Sequence, residues 1–409
     1  MKESPIIVGA GPGGLVCAIR LAQLGIPCKI LEKETFPRDK ICGDALSGKV
    51  IEVMRKIMPD FTAEFSRQPS QLPCWGIHFV APNGNSLRVP FKLTYNPSVD
   101  LPVGFISKRI YFDHFLYKFA QKHSQIQLIE QATVKKLERS TAGIDVKLTD
   151  NRTFQTNLVI GADGAHSQVS RQLADFQLEP KHYCAGLRVY YSGVQHLEPD
   201  NFIELHFLPD VLPGYFWIFP LPNGEANVGM GIRSDVVRKK KINLKNLLRQ
   251  IISSNPAFSK RFQQAKPMED IQGFGLPMAS KRRVISGDNF LLTGDAASLI
   301  DPFTGEGVGN AMYSGFLAAE TAYQAIAQKD FSAGYLKQYD NSVYRQLGGE
   351  LRVSSVLQKL LNYPSMFNFF VHKANKNPTL RETIICMFED IDLRSKLKNP
   401  LFYLKLLFN

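Results

Sequence analysis

The feature that most constrains this chain of 409 residues is the glycine cluster after its first apolar run. "SPIIVGAGPGG" predicts a short strand that ends in Gly9-Ala10-Gly11-Pro12-Gly13-Gly14. "LVCAIRLAQLG" predicts an apolar-faced helix, and "PCKILEKE" predicts a second strand that ends in Glu32. Gly9 would allow the tight turn, Gly11 a close approach of the backbone to a pyrophosphate, and Gly14 close packing of helix on strand. The segment therefore predicts a βαβ unit.

This unit predicts a dinucleotide site. The first turn of its helix offers free N–H groups and the positive end of the helix dipole to phosphates. Glu32 stands where an acidic side chain accepts hydrogen bonds from ribose hydroxyls, which disfavours a 2′-phosphate at that place. The glycine motif alone is weak evidence. Its specificity comes from the strand–turn–helix–strand context and from the placed acid.

Two distant segments favour FAD over NAD. In "NLVIGADGAHSQVSRQL" a predicted strand leads into Asp163 and Gly164, and a helix follows. In "NFLLTGDAASLIDPFTGEGVGNAM" another strand enters Gly294-Asp295, and a glycine-rich turn, Gly305 to Gly309, opens a helix. An NAD enzyme does not need these segments, whereas an extended FAD held across several strands does.

Each of these segments has an expected role. Asp295 is placed to accept a hydrogen bond from a ribityl hydroxyl. The N–H groups of Gly307, Val308 and Gly309 can face a flavin edge that becomes anionic on reduction.

The chain resembles the FAD-dependent reductases and hydroxylases of the para-hydroxybenzoate hydroxylase fold, and within them the geranylgeranyl reductase family. The resemblance extends from Ile6 to the C-terminal helices. It rests on "GAGPGG", "FPRDKICGDALSG", "SKRIYFDHFL", "GADGAHSQV", "PGYFWIFP" and "GDAASLIDPFTGEGVGNAM". The family pattern P-x-Y-x-W-x-F-P is met from Pro213 to Pro220.

The resemblance implies further site residues. Arg109 and the region around Asp163 would contact FAD. The segment Arg38 to Gly43 would run beside the flavin, with Cys42 near its reactive face. Cys42 has two open interpretations: a thiol that donates a proton or shapes an alkene pocket, or an inert buried residue. Together with Cys42, the resemblance implies Tyr215 and Trp217 as catalytic residues.

The sequence "PGYFWIFPLPNGEANVGMGI" predicts a β-hairpin. Asn223-Gly224 supplies the residues of a two-residue type I′ turn. That turn would pair Trp217 with Met230 and would set Gly229 and Gly231 opposite Ile218 and Phe216. Neither face of the first strand is polar, so we expect one face to pack on a core. The resemblance implies that the other face lines a tunnel for an isoprenoid chain, and a strand that is core on both faces is the open alternative. The expected substrate-binding residues are Tyr215, Phe216, Trp217, Ile218, Phe219, Gly229 and Gly231.

The predicted fold class is α/β (α+β overall). A Rossmann-like FAD-binding domain would comprise residues 1–65, 98–178 and 279–350. An antiparallel-sheet substrate domain would comprise residues 66–97 and 179–278, and a C-terminal helical region residues 351–409. Successive strand segments separated by turn signals are typical of an antiparallel sheet.

Composition narrows the classes of partner. The net charge of +12 favours anionic partners. The six cysteines form no CxxC pair or metal-ligand cluster, so we expect a reducing cytosol and neither a metal nor an iron–sulfur centre. No apolar run approaches the roughly 20 residues that span a bilayer. We expect a cytoplasmic protein without a nucleic-acid partner. Peripheral contact at the inner face of the membrane stays open, for which "LRSKLKNPLFYLKLLFN" is the candidate segment.

The resemblance implies an FAD-dependent oxidoreductase that reduces carbon–carbon double bonds of a geranylgeranyl-type chain on a prenyl lipid or prenyl diphosphate. NADPH or a ferredoxin-like carrier would supply electrons. A flavin monooxygenase or halogenase on the same fold is one alternative. Of the halogenase pattern W-x-W-x-I-P the chain shares only the second Trp and the Pro. A non-catalytic prenyl-lipid binding protein is the other alternative, which would not need to keep Gly9, Gly11, Gly14, Glu32 and Asp295.

Overall fold

The computed structural model describes residues 4–92, 94–141 and 143–377. The segment "LRSKLKNPLFYLKLLFN", suggested above as a membrane contact, lies outside these residues, as does most of the predicted C-terminal region 351–409. No helix in the described ranges has both the length and the hydropathy needed to cross a bilayer.

The described residues form ten α-helices and twenty strands. The helices are α1 (Pro12–Gln23), α2 (Gly48–Ile57), α3 (Phe61–Ser66), α4 (Arg109–Gln121), α5 (Gln168–Leu173), α6 (Ser234–Lys240), α7 (Leu244–Ser254), α8 (Val308–Gln328), α9 (Ala333–Leu360) and α10 (Pro364–Lys376). The strands are β1 (Ile6–Val8), β2 (Cys28–Leu31), β3 (Ala45–Leu46), β4 (Gln71–Cys74), β5 (Gly76–Val80), β6 (Ser86–Pro90), β7 (Gly104–Ser107), β8 (Ile126–Ile129), β9 (Val134–Ser140), β10 (Gly143–Leu148), β11 (Thr153–Thr156), β12 (Val159–Gly161), β13 (Tyr183–Ser192), β14 (Ile203–His206), β15 (Tyr215–Pro220), β16 (Glu225–Arg233), β17 (Lys266–Pro267), β18 (Gln272–Pro277), β19 (Ser286–Gly287) and β20 (Phe290–Leu292).

The first large sheet has the order β19-β20-β12-β1-β2-β8 and is parallel except at its β19 edge. Its central strands are short apolar runs buried on both faces, as expected for a parallel sheet covered by helices. Helices α1 and α8 cross where a Cβ on Gly315 would overlap the carbonyl of Gly13. All six strands lie in the ranges predicted for the FAD-binding domain.

The second large sheet has the order β17-β13-β16-β15-β14-β5-β6, with β18 also pairing with β13. It contains the strand segments predicted for the substrate domain. Strand β14 pairs with β5 in parallel, so the sheet is mixed and the expectation of a wholly antiparallel sheet is wrong at this pair. The reason is topological, because β5 comes from the segment before β7 and meets β14 through a long connection rather than a hairpin.

The aromatic hairpin forms, but its predicted register is wrong by one residue. Phe216 pairs with Met230, and Trp217 pairs with Gly229. A two-residue turn would need Pro222 to donate a backbone hydrogen bond, and proline has no N–H. The ladder closes instead where Leu221 N donates to Glu225 O at 2.8 Å, which leaves a three-residue loop.

This shift changes which residues share a face. Successive side chains of a strand alternate between the two faces of the sheet. Gly229 and Gly231 therefore lie on the face of Trp217 and Tyr215. Phe216 and Ile218 lie on the other face, buried in a core against α7.

The C-terminal part of the described chain is helical. Helix α9 continues through the predicted domain boundary at 350/351 without interruption. Helix α10 packs Phe367, Val371 and Ala374 against the face of β14, β5 and β6 that carries Ile203, Ile77 and Leu87.

Candidate active site

One cavity of about 2300 Å³ connects the two large sheets with α9 and α10. Ligand pockets are usually roughly 300–1,000 Å³, so this cavity is large enough for a dinucleotide and a second, elongated ligand. Fourteen of the seventeen predicted cofactor residues line it: Gly9, Gly11, Gly13, Glu32, Arg38, Cys42, Gly43, Arg109, Asp163, Gly164, Asp295, Gly305, Gly307 and Val308.

The βαβ turn at one end of the cavity has the geometry that its glycines predict. Gly9 has a φ of +99°, and a Cβ there would overlap the backbone of Ala162. A Cβ on Gly14 would overlap the carbonyl of Gly9, so this glycine permits close packing of helix and strand. Gly11 precedes α1, whose first turn faces the cavity. The turn therefore presents a helix N-terminus suited to phosphate.

Glu32 holds this turn as well as facing the cavity. Its Oε2 accepts a hydrogen bond from Ala10 N at 2.7 Å, and its Oε1 accepts one from Glu34 N at 3.0 Å. Ala10, which was expected to bind the cofactor, does not line the cavity. Its N–H instead holds the Glu32 carboxylate against the turn. The carboxylate keeps lone pairs for ribose hydroxyls, because each oxygen can accept more than one hydrogen bond.

Asp163 is a second acid at the cavity wall and is partly buried. Its Oδ2 accepts from Gln168 N at 2.6 Å, at the start of α5. Its Oδ1 is buried and has no hydrogen-bond partner in the part of the chain that the structure describes. Burial raises the pKa of this carboxyl. An unsatisfied buried acceptor at the cavity wall is suited to a ligand donor.

Asp295 follows β20 in the chain and also lines the cavity. Its Oδ2 is 3.5 Å from Lys40 Nζ, whose ammonium also lies 3.9 Å from the centroid of the Phe274 ring. The following glycine turn touches the aromatic strand, because a Cβ on Gly305 would come within 2.5 Å of the Tyr215 hydroxyl.

The turn Gly305 to Gly309 presents fewer free amides than expected. Gly309 N donates to Glu306 Oε1 at 2.7 Å, and Gly309 does not line the cavity. The expectation that its N–H faces the flavin is therefore wrong. The reason is that the carboxylate of Glu306 accepts this hydrogen bond and so caps the first turn of α8.

Arg38 and Arg109 are both placed by one acid. Arg109 donates from Nε and Nη2 to the two oxygens of Asp113, at 2.6 and 2.8 Å, and Arg38 Nη1 donates to Asp113 Oδ2 at 2.6 Å. Burial alone would raise the pKa of Asp113, but the two guanidinium groups outweigh it and the pKa is lowered. The paired charges hold both arginines rigidly against the cavity wall.

The loop that carries Cys42 is joined to the aromatic hairpin by a buried network. Asn227 Nδ2 donates to Cys42 O and to Asp44 Oδ2, both at 2.8 Å. Trp217 Nε1 donates to Asn227 Oδ1 at 2.8 Å, and the Tyr190 hydroxyl donates to Asp44 Oδ2 at 2.8 Å.

Asp44, Tyr190 and Asn227 were not predicted from the sequence. Of the three, only Asp44 carried a signal, because it is an acid that directly follows Cys42-Gly43. All three are buried, and Asp44 and Asn227 are wholly inaccessible to solvent.

Burial sets the protonation of this loop. It raises the pKa of Asp44 from 3.8 to about 6, although hydrogen bonds from Asn227 and Tyr190 act against the rise. Burial also raises the pKa of the Cys42 thiol, while the charge of Arg109 opposes this. Cys42 is therefore held as a neutral thiol at neutral pH.

The face of the second sheet that meets the cavity carries Tyr215, Trp217 and Phe219. Phe216 and Ile218, also predicted to bind substrate, pack on the opposite side of the sheet. This correction follows from the one-residue shift of the hairpin. A Cβ on Gly229 would overlap the Trp217 ring and the Leu187 carbonyl, whereas a Cβ on Gly231 would meet no atom within 4 Å.

These residues fit an extended dinucleotide cofactor. The N-terminus of α1, the acids Glu32 and Asp163, and Asp295 all line a single cavity. The aromatic strand and the Cys42 loop line the same cavity.

Comparisons with known proteins agree with this geometry. Residues 3–340 match the family model described as FAD binding domain. The chain is 28% identical over 371 residues to digeranylgeranylglycerophospholipid reductase 2 of Methanopyrus kandleri, covering 88% of this chain and 87% of that protein.

Two solved structures share the fold. A geranylgeranyl bacteriochlorophyll reductase-like protein from Thermoplasma acidophilum has a TM-score of 0.80 at 22% identity, over 97% of this chain and 98% of that one. The flavin-dependent brominase Bmp2 has a TM-score of 0.76 at 22% identity, over 99% of each chain.

Proposed function

The chain belongs to the FAD-binding-domain family of FAD-dependent oxidoreductases, and from this we propose that it reduces carbon–carbon double bonds of an isoprenoid chain. The similarity to an archaeal digeranylgeranylglycerophospholipid reductase supports the choice of substrate class. The cofactor is FAD, and we propose NADPH or a ferredoxin-like carrier as the source of its electrons.

One observation carries the proposal: the cofactor-binding loops and a long apolar chamber belong to the same cavity. Much of the cavity wall is aliphatic and aromatic. Its residues come from β5, β14, the turn after β20 and α9, namely Ile77, Phe79, Ile203, Leu205, Phe303, Leu357 and Leu360. A polyisoprenoid chain is long, narrow and apolar, and such a wall would bury it without leaving polar groups unpaired.

The residues around the Cys42 loop suit the reduction of an isolated alkene. Bound FAD supplies a hydride when reduced, and the second alkene carbon must then receive a proton. The alkene is a poor hydride acceptor, so the site must exclude water and place the proton source closely. Trp217 and Phe219 form an apolar wall there, and Cys42 offers a neutral thiol beside it.

Tyr215 and Trp217 act in this proposal by shaping the site. The Tyr215 hydroxyl donates to Thr304 O at 2.7 Å, so its proton is held by the turn that precedes α8. Trp217 uses its one N–H on Asn227. Of the three residues expected to be catalytic, Cys42 is therefore the one that we propose as the proton donor.

The substrate that we propose is a prenyl lipid or a prenyl diphosphate. Arg345 and Arg352 line the cavity two helical turns apart on α9. Two arginines at a cavity wall would bind a phosphate head group while the chain enters the chamber. We further propose a cytoplasmic protein that contacts the inner face of the membrane peripherally.

The test is anaerobic turnover. The purified, FAD-loaded protein is reduced chemically and is offered prenyl lipids, a prenyl diphosphate and a prenylated quinone, and the products are weighed by mass spectrometry. We expect two hydrogen atoms to be added per reduced double bond, with reoxidation of the flavin. Substrate that gains an oxygen or a halogen atom when the reaction is run aerobically with halide would instead support the monooxygenase or halogenase alternative. Bound but unchanged prenyl lipid would support a carrier.

A further inference from the structure

Helix α10 and the end of α9 present an apolar surface to solvent. The side chains of Val356, Tyr363, Met366 and Phe369 are 65%, 62%, 55% and 52% exposed. Single exposed apolar residues are ordinary, but four within 14 residues of the chain, three of them spaced three residues apart, indicate an interaction surface. We call this group, with the polar residues between them, the α9–α10 face.

The orientation of α10 is fixed by its other side. Phe367, Val371 and Ala374 are buried at a helical spacing, and the Phe367 ring lies 4.7 Å from the ring of Phe207. Asn375 Nδ2 donates to Ser86 O at 2.7 Å, which ties the helix to β6. The helix thus has two apolar stripes, and only the inner one is covered.

The α9–α10 face surrounds an opening of the large cavity. Val356, Met366 and Phe369 line that cavity as well as being more than half exposed. A side chain can do both only at the rim. An apolar ligand could therefore pass from this face into the chamber.

The charged residues of this part of the chain have one sign. Residues 351–377 contain no Asp or Glu, but they contain Arg352, Lys359, Lys373 and Lys376. The Lys373 ammonium lies 5.9 Å from the centroid of the Phe369 ring, at the edge of the apolar group. Apolar and aromatic residues bordered by lysines are the pattern of helices that lie in a membrane interface.

We propose that the α9–α10 face docks on the surface of a bilayer that contains anionic lipids, and that lipid tails enter the cavity from there. The proposal rests on the proposed function for its tail-entry step alone. A second copy of the chain is a poor occupant, because a symmetric contact would bring two clusters of cations together. An anionic bilayer neutralises the lysines and accepts the apolar side chains in its interface.

Vesicle binding tests the docking step without any turnover. The FAD-loaded full chain is sedimented with vesicles of phosphatidylcholine alone or of phosphatidylcholine with phosphatidylglycerol. We expect binding to the anionic vesicles to exceed binding to the neutral ones by about tenfold or more, since each basic residue near such a surface adds to the affinity. Raised salt should weaken it.

Two double variants and two controls locate the contact. Met366→Asp/Phe369→Asp should lose most anionic-vesicle binding, and Lys359→Glu/Lys376→Glu should lose its preference for anionic lipid. Tyr323→Asp, at an exposed site on α8, controls for the aspartates. Lys239→Glu/Lys245→Glu, on exposed positions of α6 and α7, controls for the charge change. Both controls should bind as the unchanged protein does, and flavin content and thermal unfolding report whether each variant folds.

Three results would overturn the docking proposal. These are absent binding to anionic vesicles, equal losses in the controls, or conversion of an oligomer to a monomer by the α9–α10 substitutions, which would show that a second copy covers the face. Failure of the proposed function looks different, because vesicle binding would persist while no prenyl substrate is reduced. With a detergent-dispersed prenyl substrate, Lys359→Glu/Lys376→Glu should turn over at the normal rate.

Discussion

The indole of Trp217 lies directly over the α-carbon of Gly229, its partner on the neighbouring strand. A Cβ on Gly229 would overlap both the ring and the Leu187 carbonyl, so no side chain larger than hydrogen fits there. The glycine lets the indole lie close to the sheet, where its Nε1 reaches Asn227 at 2.8 Å. The gap in the second strand thus accommodates a side chain of the protein and not the substrate directly.

This contact predicts opposite outcomes at the two glycines. Gly229→Ala should displace Trp217 and lower the free energy of unfolding by about 1–3 kcal/mol, the usual cost of overpacking. Gly231→Ala should be close to neutral, because a Cβ there meets no atom within 4 Å. Chemical denaturation of both variants checks this. Similar losses at the two positions would contradict the register of the hairpin.

Asn227 should be required to hold the Cys42 loop. Asn227→Leu leaves Trp217 Nε1 and Cys42 O without their partner and removes one of the donors to Asp44. Each unsatisfied buried group costs about 1–3 kcal/mol. We expect reduced stability and an altered flavin absorption spectrum, since the loop borders the cofactor-binding loops. Asn227→Asp keeps the acceptor for Trp217 and places a second carboxyl against Asp44. It should therefore recover stability below pH 6 but not above it. Recovery that does not depend on pH would count against the network.

Asp44 should make stability depend on pH. Its pKa is about 6 in the folded protein and 3.8 ordinarily, so the folded state binds more protons than the unfolded state between these values. The contribution of the protonated carboxyl is fully present below pH 4 and is lost as the pH rises through 6. Relative to Asp44→Asn, the free energy of unfolding of the unchanged protein should fall by roughly 2 kcal/mol from pH 4 to pH 7. If the free energies of unfolding of the two proteins change equally between pH 4 and pH 7, the prediction is wrong.

Cys42 should affect turnover more than cofactor binding. If its thiol delivers the proton, Cys42→Ser should keep partial alkene reduction and Cys42→Ala should lower it strongly, with FAD retained in both. Turnover rates and flavin content are measured together. Near-normal rates in both variants would assign the residue to packing, and loss of flavin in both would make it part of the cofactor site.

Glu32 should contribute to FAD affinity. Glu32→Ala should weaken binding by about 1–3 kcal/mol through lost charged hydrogen bonds. Glu32→Gln retains an acceptor for Ala10 N and controls for the turn itself. Titration of the apoprotein with FAD gives both affinities. Unchanged affinity in Glu32→Ala would mean that the acid serves only the turn.

The sequence by itself determined the features that depend on neighbours along the chain. The turn at Gly9 to Gly14, the acid after β2, and the strand–turn–helix order around Asp163 and Asp295 are local patterns. The backbone geometry of glycine and the period of apolar residues are enough to specify them. The hairpin itself was equally local. The prediction of its register was wrong by one residue, because the missing N–H of Pro222 outweighed the turn preference of Asn223-Gly224.

Only the tertiary structure decided which distant side chains meet. Asp44, Tyr190 and Asn227 come from three separate segments, and none belongs to a motif that predicts contact. Buried polar groups must find partners wherever folding brings them, so such networks follow from the packing of sheets and not from spacing. The same holds for the opening at the α9–α10 face. The apolar residues of α10 form two stripes in the sequence, and packing of one stripe on the core leaves the other at the rim of the cavity.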